Sequence, residues 1–366
     1  MLKKLSASTM LASALVLSVP MAANAFEITL SGDSEFKYQT WSDDEDNTGQ
    51  ANDSKMTNES HVIISAENTA DNGLTYGTYY RIEAETGNGG GSNLKEDGHR
   101  LYVKGDFGQI TLGGGAAGDT YYADVLDRMV NDDDTSSEGA PPFGYFTAFA
   151  NADETMSYHT PSLSGFKGGI SVYDAGSDSK GDVREIGFEY SANVMMDGAI
   201  TLRYAHAQAD DFDTTLDDGF TAITLGDAKA QSYGVDFTSG AFGFGISRNI
   251  FDTDVKDTSS EANIEFSNTG FAATYQASDA LKLALGVVNA EGEVSTLNDE
   301  KVDGDITAFS ADYTIAKGLT TGLSYSTWES QNTLLGSNHG CTSDCVKDPN
   351  GKEKGTYTVL YMKVAF

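Results

Sequence analysis

Beyond its first 25 residues the chain has no long apolar run. A transmembrane helix, which needs ~20 consecutive apolar residues, is thereby excluded. A membrane-spanning β-barrel is not, because only every second residue of its strands must be apolar. Basic residues are scarce too: 23 Lys and Arg stand against 55 Asp and Glu, a formal net charge of −32. That balance argues against nucleic acid, which demands clustered Lys and Arg. It also excludes simple adhesion to anionic lipid, and it favours cations, divalent ions and a hydrated surface. Histidine is limited to five scattered residues that show no metal spacing. Cysteine is rarer still. Cys341 and Cys345 lie close together in a loop rich in Ser, Asn, Asp and Gly. In an oxidising compartment they suit a local disulfide. A zinc site there would need two more ligands, and His339 is the sole nearby candidate, so the sequence names no metal ligand set.

What is abundant points elsewhere. The chain has 40 Gly, 18 Tyr and 18 Phe beside only two Trp. Such a composition suits short strands with tight turns and aromatic girdles. A soluble β-sandwich array shares it but would bury apolar cores between paired sheets. At the N-terminus, Lys3 and Lys4 precede an apolar stretch from Leu5 to Val19, and Ala23-Asn24-Ala25 is a small-x-small cleavage site. Residues 1–25 therefore read as a cleaved secretory signal peptide, and residues 26–366 as a single domain. At the other end, Leu360, Met362, Val364 and Phe366 share one face of a strand; Tyr357, Val359, Tyr361 and Lys363 share the other. An alternating strand that stops at a terminal aromatic is the usual ending of a bacterial outer-membrane barrel, where the last strand closes on the first.

Between the ends runs a repeated rhythm. Strands are expected near Phe26–Trp41, His61–Glu67, Leu74–Thr86, His99–Lys104 and Gln109–Leu112. Others centre on Tyr158, Ile170, Phe188, Leu202, Val235, Phe244, Phe266 to Tyr275, Leu285, Phe309, Leu323 and Leu360. This makes about sixteen, an all-β, up-and-down antiparallel barrel with long loops at one rim and short turns at the other. Two of the long loops are expected at Ser42–Asn58 and Gly87–Gly98. Near Asn268–Gly270 the apolar phase changes from even to odd positions, which predicts a β-bulge there. A barrel of this size leaves an aqueous channel. An Arg or Lys facing lipid at mid-depth would cost ~2–4 kcal/mol, so the polar phase should face inward. Lys37, Arg81, Arg100, Lys104, Lys167, Arg203 and Lys282 all fall on that phase.

The connection at about residues 113–153 is far longer than its neighbours, and so long a loop implies a purpose. It opens with Gly113-Gly114-Gly115-Ala116-Ala117-Gly118 and continues through acids to Pro141-Pro142-Phe143-Gly144. The opening satisfies G-x-G-x-x-G after a strand and before a segment, Asp119–Val130, that can be read as helical. The alternating helices of a dinucleotide-binding sheet are missing, which sets that reading aside. Asp299-x-Lys301-x-Asp303-Gly304 imitates a calcium loop, but Lys301 occupies a ligand position and Ser310 replaces the closing Glu. Ser, His and Asp form no triad that the sequence selects.

The signal peptide, the strand rhythm, the Gly105–Gly108 turn leading into Gln109–Gly113, the long acidic third loop and the terminal Phe366 together resemble Gram-negative general-diffusion porins. The nearest branch is the alphaproteobacterial, Rhodobacter-like one. The resemblance covers the whole mature chain and rests on the order and phasing of its motifs. It implies a homotrimer in the outer membrane with the third loop folded into each lumen. It also implies contact with outer-membrane lipid and lipopolysaccharide, and handling by the barrel-assembly machinery through Phe366. The constriction acids it implies are Asp119, Asp124, Asp127, Asp132, Asp133, Asp134 and Glu138. The facing wall bases are Lys37, His61, Arg81 and Arg100. A transverse field between them would orient dipolar solutes. The acid excess suggests cation preference. The loop tip Pro141-Pro142-Phe143-Gly144 lacks the acid of the enterobacterial pattern. No cofactor is expected, although the acidic loops could hold Ca2+ loosely. The expected role is passive diffusion of small hydrophilic solutes and ions without enzymatic chemistry. A substrate-selective nutrient porin and an outer-membrane barrel enzyme are the other classes weighed; the latter would need inward Ser, His and Asp converging at one depth.

Overall fold

The computed structural model describes residues 26–43, 53–86, 92–130, 155–173, 183–194, 197–210, 215–217, 222–255, 262–294, 300–332 and 352–366. The signal peptide expected at residues 1–25 and the disulfide expected between Cys341 and Cys345 fall outside these residues.

Alternating side chains commit almost every described segment to a strand. The first five are β1 (Glu27–Asp43), β2 (Asp53–Thr69), β3 (Thr75–Thr86), β4 (Ser92–Gly105) and β5 (Gly108–Leu112). A short helix α1 (Ala117–Tyr121) and a π-helical turn (Leu126–Val130) follow. Next come β6 (Thr155–His159), β7 (Phe166–Tyr173), β8 (Val183–Val194) and β9 (Gly198–Ala209). The stub β10 (Thr215–Asp217) pairs with the start of β11 (Ala222–Ser239). The remainder are β12 (Phe242–Val255), β13 (Ala262–Gln276), β14 (Leu281–Val294), β15 (Glu300–Ala316), β16 (Leu319–Asn332) and β17 (Lys352–Ala365).

Apart from the stub, sixteen strands pair antiparallel with their neighbours in chain order, β9 joining β11 directly. β17 pairs with β1 from Asp33↔Ala365 to Asp43↔Gly355, which closes the cylinder. The terminal residue completes the seam: Phe366 N–H donates to the Gly32 carbonyl at 2.9 Å, and Gly32 N–H donates back to the Phe366 carbonyl at 3.0 Å. Closure leaves no free sheet edge, the condition for a sheet to lie in hydrocarbon. Among the described residues no helix is long and apolar enough to cross a membrane.

The two faces are reversed relative to a water-soluble protein. Leu285 is 51% exposed, Phe271 48% and Leu360 49%, while Ser247, Asn249 and Asn268 on the opposite phase are buried. Each such apolar side chain left in water would forgo about 1.5–3 kcal/mol, so this surface requires lipid. Aromatic rings line up across strands on the same outer face. Phe188 lies 5.1 Å from Tyr204, Tyr204 lies 5.2 Å from Tyr233, and Phe242 lies 4.9 Å from Tyr275. Phe242 and Tyr275 flank short turns, where an interfacial girdle belongs.

Three sequence expectations need correction. No bulge interrupts Asn268–Gly270: β13 keeps one register with β12 and with β14 throughout. Ile264 and Phe266 instead face inward, where Ile264 is buried and Phe266 packs on an apolar patch with Phe251 and Ala207. Register shifts occur at Tyr80/Ile82, Leu225/Ala228 and Thr314/Ala316. The connections expected at Ser42–Asn58 and Gly87–Gly98 are shorter than read, because β2 begins at Asp53 and β4 at Ser92. Polar, charged sequence at those strand starts hid the pairing.

Candidate functional site

The third loop leaves β5 through Gly113, Gly114 and Gly115, with φ of 93°, 89° and 70°. Three successive left-handed residues reverse the chain, a role for which glycine has no steric penalty. These glycines therefore serve a turn rather than a phosphate cradle. Residues 116–130 then run along the polar-phase, inner wall. α1 packs on β6–β9 and the π-helical turn packs on β13–β15.

The wall is shaped to receive this segment. A Cβ built on Gly187 would lie 2.7 Å from Tyr121, one on Gly234 would lie 2.5 Å from Ala123 Cβ, and one on Gly270 would lie 2.5 Å from Val125. One on Gly286 would meet Val130 at 2.8 Å. Glycines on four strands thus form a track under the loop backbone. Leu126, Met129 and Val130 fill the space above it together with Val288, Ile306 and Ala308.

Polar contacts pin the loop. Ala117 N–H donates to Ser171 Oγ at 2.9 Å, Gly118 N–H to Glu185 at 3.0 Å and Ala123 N–H to Ser232 Oγ at 2.8 Å. Lys282 Nζ donates to the Met129 carbonyl at 3.0 Å. Arg128 reaches Asp236, which also pairs with Arg203; Arg203 in turn pairs with Glu189 at 2.9 Å. The residue list read from the sequence omitted Arg128, because its only visible context was an acidic loop. Lys282 and Arg203 were legible as inward bases, but their loop contacts were not.

The candidate loop acids separate. Asp124 is buried, 1% exposed, and its Oδ1 accepts the N–H groups of Leu126 at 2.8 Å and Asp127 at 3.4 Å. It starts the π-helical turn and does not present a charge to the lumen, a correction to its assignment as a constriction acid. Burial pushes its carboxyl pKa upward, against the pull of those two backbone N–H groups and of Arg128. Asp127 is exposed. Asp119 belongs to α1, and its side chain lies outside the described set. Asp132, Asp133, Asp134 and Glu138 lie wholly outside it.

The candidate wall bases occupy β1–β4. Lys37 lies 3.7 Å from Glu35, and the Arg100 guanidinium stacks 4.2 Å above the Tyr79 ring. His61 is the centre of a denser group. Its Nε2 lies 2.9 Å from Glu59 and 2.6 Å from Arg81 Nη2, and its Nδ1 lies 3.4 Å from Asp33. Glu83 reaches the same histidine at 3.9 Å and pairs with Lys95 at 2.8 Å. Lys104 joins Glu67 at 2.6 Å, and Tyr102 donates to the same carboxylate oxygen at 2.7 Å. The bases therefore sit in a mixed-charge network. The His61 group brings together a histidine and carboxylates that spacing along the sequence does not associate. Its partners arrive by cross-strand register, Asp33↔His61 and His61↔Glu83, which a search along the chain does not see.

A closed sixteen-stranded cylinder with an apolar skin, a charged bore and a loop against its inner wall defines a multi-pass bacterial outer-membrane β-barrel. The profile described as Gram-negative porin matches residues 7–333, and the chain belongs to that family. No curated protein sequence matches it. Its backbone is similar to in-vitro folded OmpT, an outer membrane protein of Vibrio cholerae, at TM-score 0.65 and 16% identity over 96% of this chain and 100% of that one. A trimer form of OmpT aligns at TM-score 0.61 and 19% identity over 91% and 99% of the two chains. A mutant of the Rh. blastica porin aligns at TM-score 0.57 and 14% identity over 93% and 100%. At these identities the likeness concerns the fold.

Proposed function

We propose that the protein is a passive channel for small hydrophilic solutes and ions, with a preference for cations and no enzymatic chemistry. The observation that carries this reading is the inner wall. Ionised groups on β1–β4 lie across the bore from a loop segment held along β6–β15, so a solvated passage is left between two charged surfaces. Water in that passage keeps Lys37, Arg81 and Arg100 charged at little burial cost. Opposed walls of unlike charge density make a field across the passage, which slows apolar solutes and orients dipolar ones. The net charge of −32 favours cations at the mouths. Asp132, Asp133, Asp134 and Glu138 would complete the narrow zone, and Asp127 would add an exposed acid beside it.

The family and the trimer form of OmpT support a homotrimer for this chain as well. In that assembly the apolar skin meets neighbouring subunits, lipid and lipopolysaccharide, and Phe366 is the handle for barrel assembly. Ca2+ held loosely by the acidic loops is compatible with this role.

The test is swelling of liposomes reconstituted with the folded protein. Uncharged sugars of increasing size should enter at falling rates, with a sharp upper limit. Equal exclusion of every sugar, beside a measurable hydrolytic rate on ester or peptide substrates, would favour the enzyme reading.

A further inference from the structure

We infer that the His61 group is a binding site for a first-row divalent cation, such as Zn2+, on the channel wall. Glu59, His61 and Glu83 would be its three protein ligands. Their donor atoms all lie within 4.8 Å of one another. A cation held at ~2.0–2.2 Å from nitrogen and oxygen donors needs ligand atoms about 3–4 Å apart. The contacts of His61 Nε2 with Glu59 at 2.9 Å and Glu83 at 3.9 Å span that requirement.

The strand geometry fixes the set. Glu59 and His61 are two residues apart on β2 and so share a face, and Glu83 stands directly opposite His61 on β3. All three ligands therefore come from rigid sheet. On the far side, Asp33 of β1 is the cross-strand partner of His61 and lies 3.4 Å from its Nδ1. A carboxylate on Nδ1 orients the imidazole and directs the Nε2 lone pair at the metal, a second layer seen at most histidine metal sites. One imidazole and two carboxylates suit Zn2+ and its first-row neighbours better than Ca2+, which takes oxygen ligands. Glu59 is the least buried of the three ligands, which leaves room for water in the fourth position.

Arg81 gives the site a second state. Its Nη2 lies 2.6 Å from His61 Nε2, where the cation would bind. Guanidinium and metal therefore compete for one lone pair. Cation binding displaces Arg81 from the histidine and frees its charge to face the lumen. Metal occupancy would thus alter the charge lining the bore without any movement of the barrel.

The test is calorimetric titration of detergent-folded protein with Zn2+, together with visible absorption after addition of Co2+. One saturable site per chain should require His61, so His61→Gln should abolish it while heat-modifiable migration stays that of a folded barrel. Asp33→Asn should weaken binding about 10–100-fold. Arg81→Gln should tighten it roughly tenfold by removing the competitor. Co2+ bands present in the parent and lost in His61→Gln would support the site. Absence of saturable binding, or binding unchanged by His61→Gln, would overturn it. Weaker binding in Arg81→Gln would overturn the competition.

Discussion

Lys282 Nζ on β14 donates a 3.0 Å hydrogen bond to the backbone carbonyl of Met129 in the third loop. The charge-assisted contact closes the open end of the π-helical turn, where carbonyls lack helical partners. Lys282→Met keeps the stem and removes the charge. Loop docking should weaken by about 1.5–3 kcal/mol, the usual value of a hydrogen bond to a charged group. Limited proteolysis of the folded barrel should show faster cleavage within residues 113–153, with the strands still protected.

Asp236 holds two guanidiniums, those of Arg128 and Arg203. Arg128→Ala removes one attraction. Asp236→Asn removes both and leaves two like charges adjacent, so it should undock the loop more than Arg128→Ala does. A double-mutant cycle on proteolytic protection reads the coupling directly. Additive effects of the two substitutions, with no coupling in the cycle, would place the Arg128 anchor elsewhere.

The glycine track predicts a gain of passage rather than a loss. Gly270→Leu sets side-chain atoms where Val125 now sits. The loop must lift, while the strand, whose altered face looks inward, keeps its pairing. Single-channel conductance should rise and become noisier. A silent or unfolded variant would contradict the track as a docking device.

Burial raises the Asp124 carboxyl pKa above its ordinary 3.8. The docked loop therefore holds a proton at pH values where the undocked loop has released it. Docking is strongest below the ordinary pKa, weakens as pH rises through the window between the two pKa values, and is constant above it. Protection of the loop should be greater near pH 4 than at pH 7. Asp124→Asn keeps an acceptor for the Leu126 N–H and should remove this pH difference.

Much of the barrel was legible because its determinants are local. The phase of Leu360, Met362, Val364 and Phe366 marks the lipid face within one strand, and the same alternation recurs in every strand that follows a turn. Lys37, Arg81 and Arg100 could be placed inward because lipid would penalise the alternative. The loop's seat was not legible. Gly187, Gly234, Gly270 and Gly286 belong to four strands, and only their register gathers them under one segment. Asp124 looked like one acid among many, since burial is not written in its neighbours. Ile264 and Phe266 suggested a bulge because an inward apolar patch breaks the rule that polar means inside. The histidine group was hidden for the same reason as the track: its members meet across strands.

The central claim is an open, water-filled bore, and planar-bilayer recording of the folded protein under a salt gradient tests it most directly. Discrete ohmic steps, in groups of three for a trimer, with a reversal potential on the cation-selective side are the expected result. A membrane that stays electrically silent at saturating protein, with the barrel verified as folded and inserted, would contradict the account.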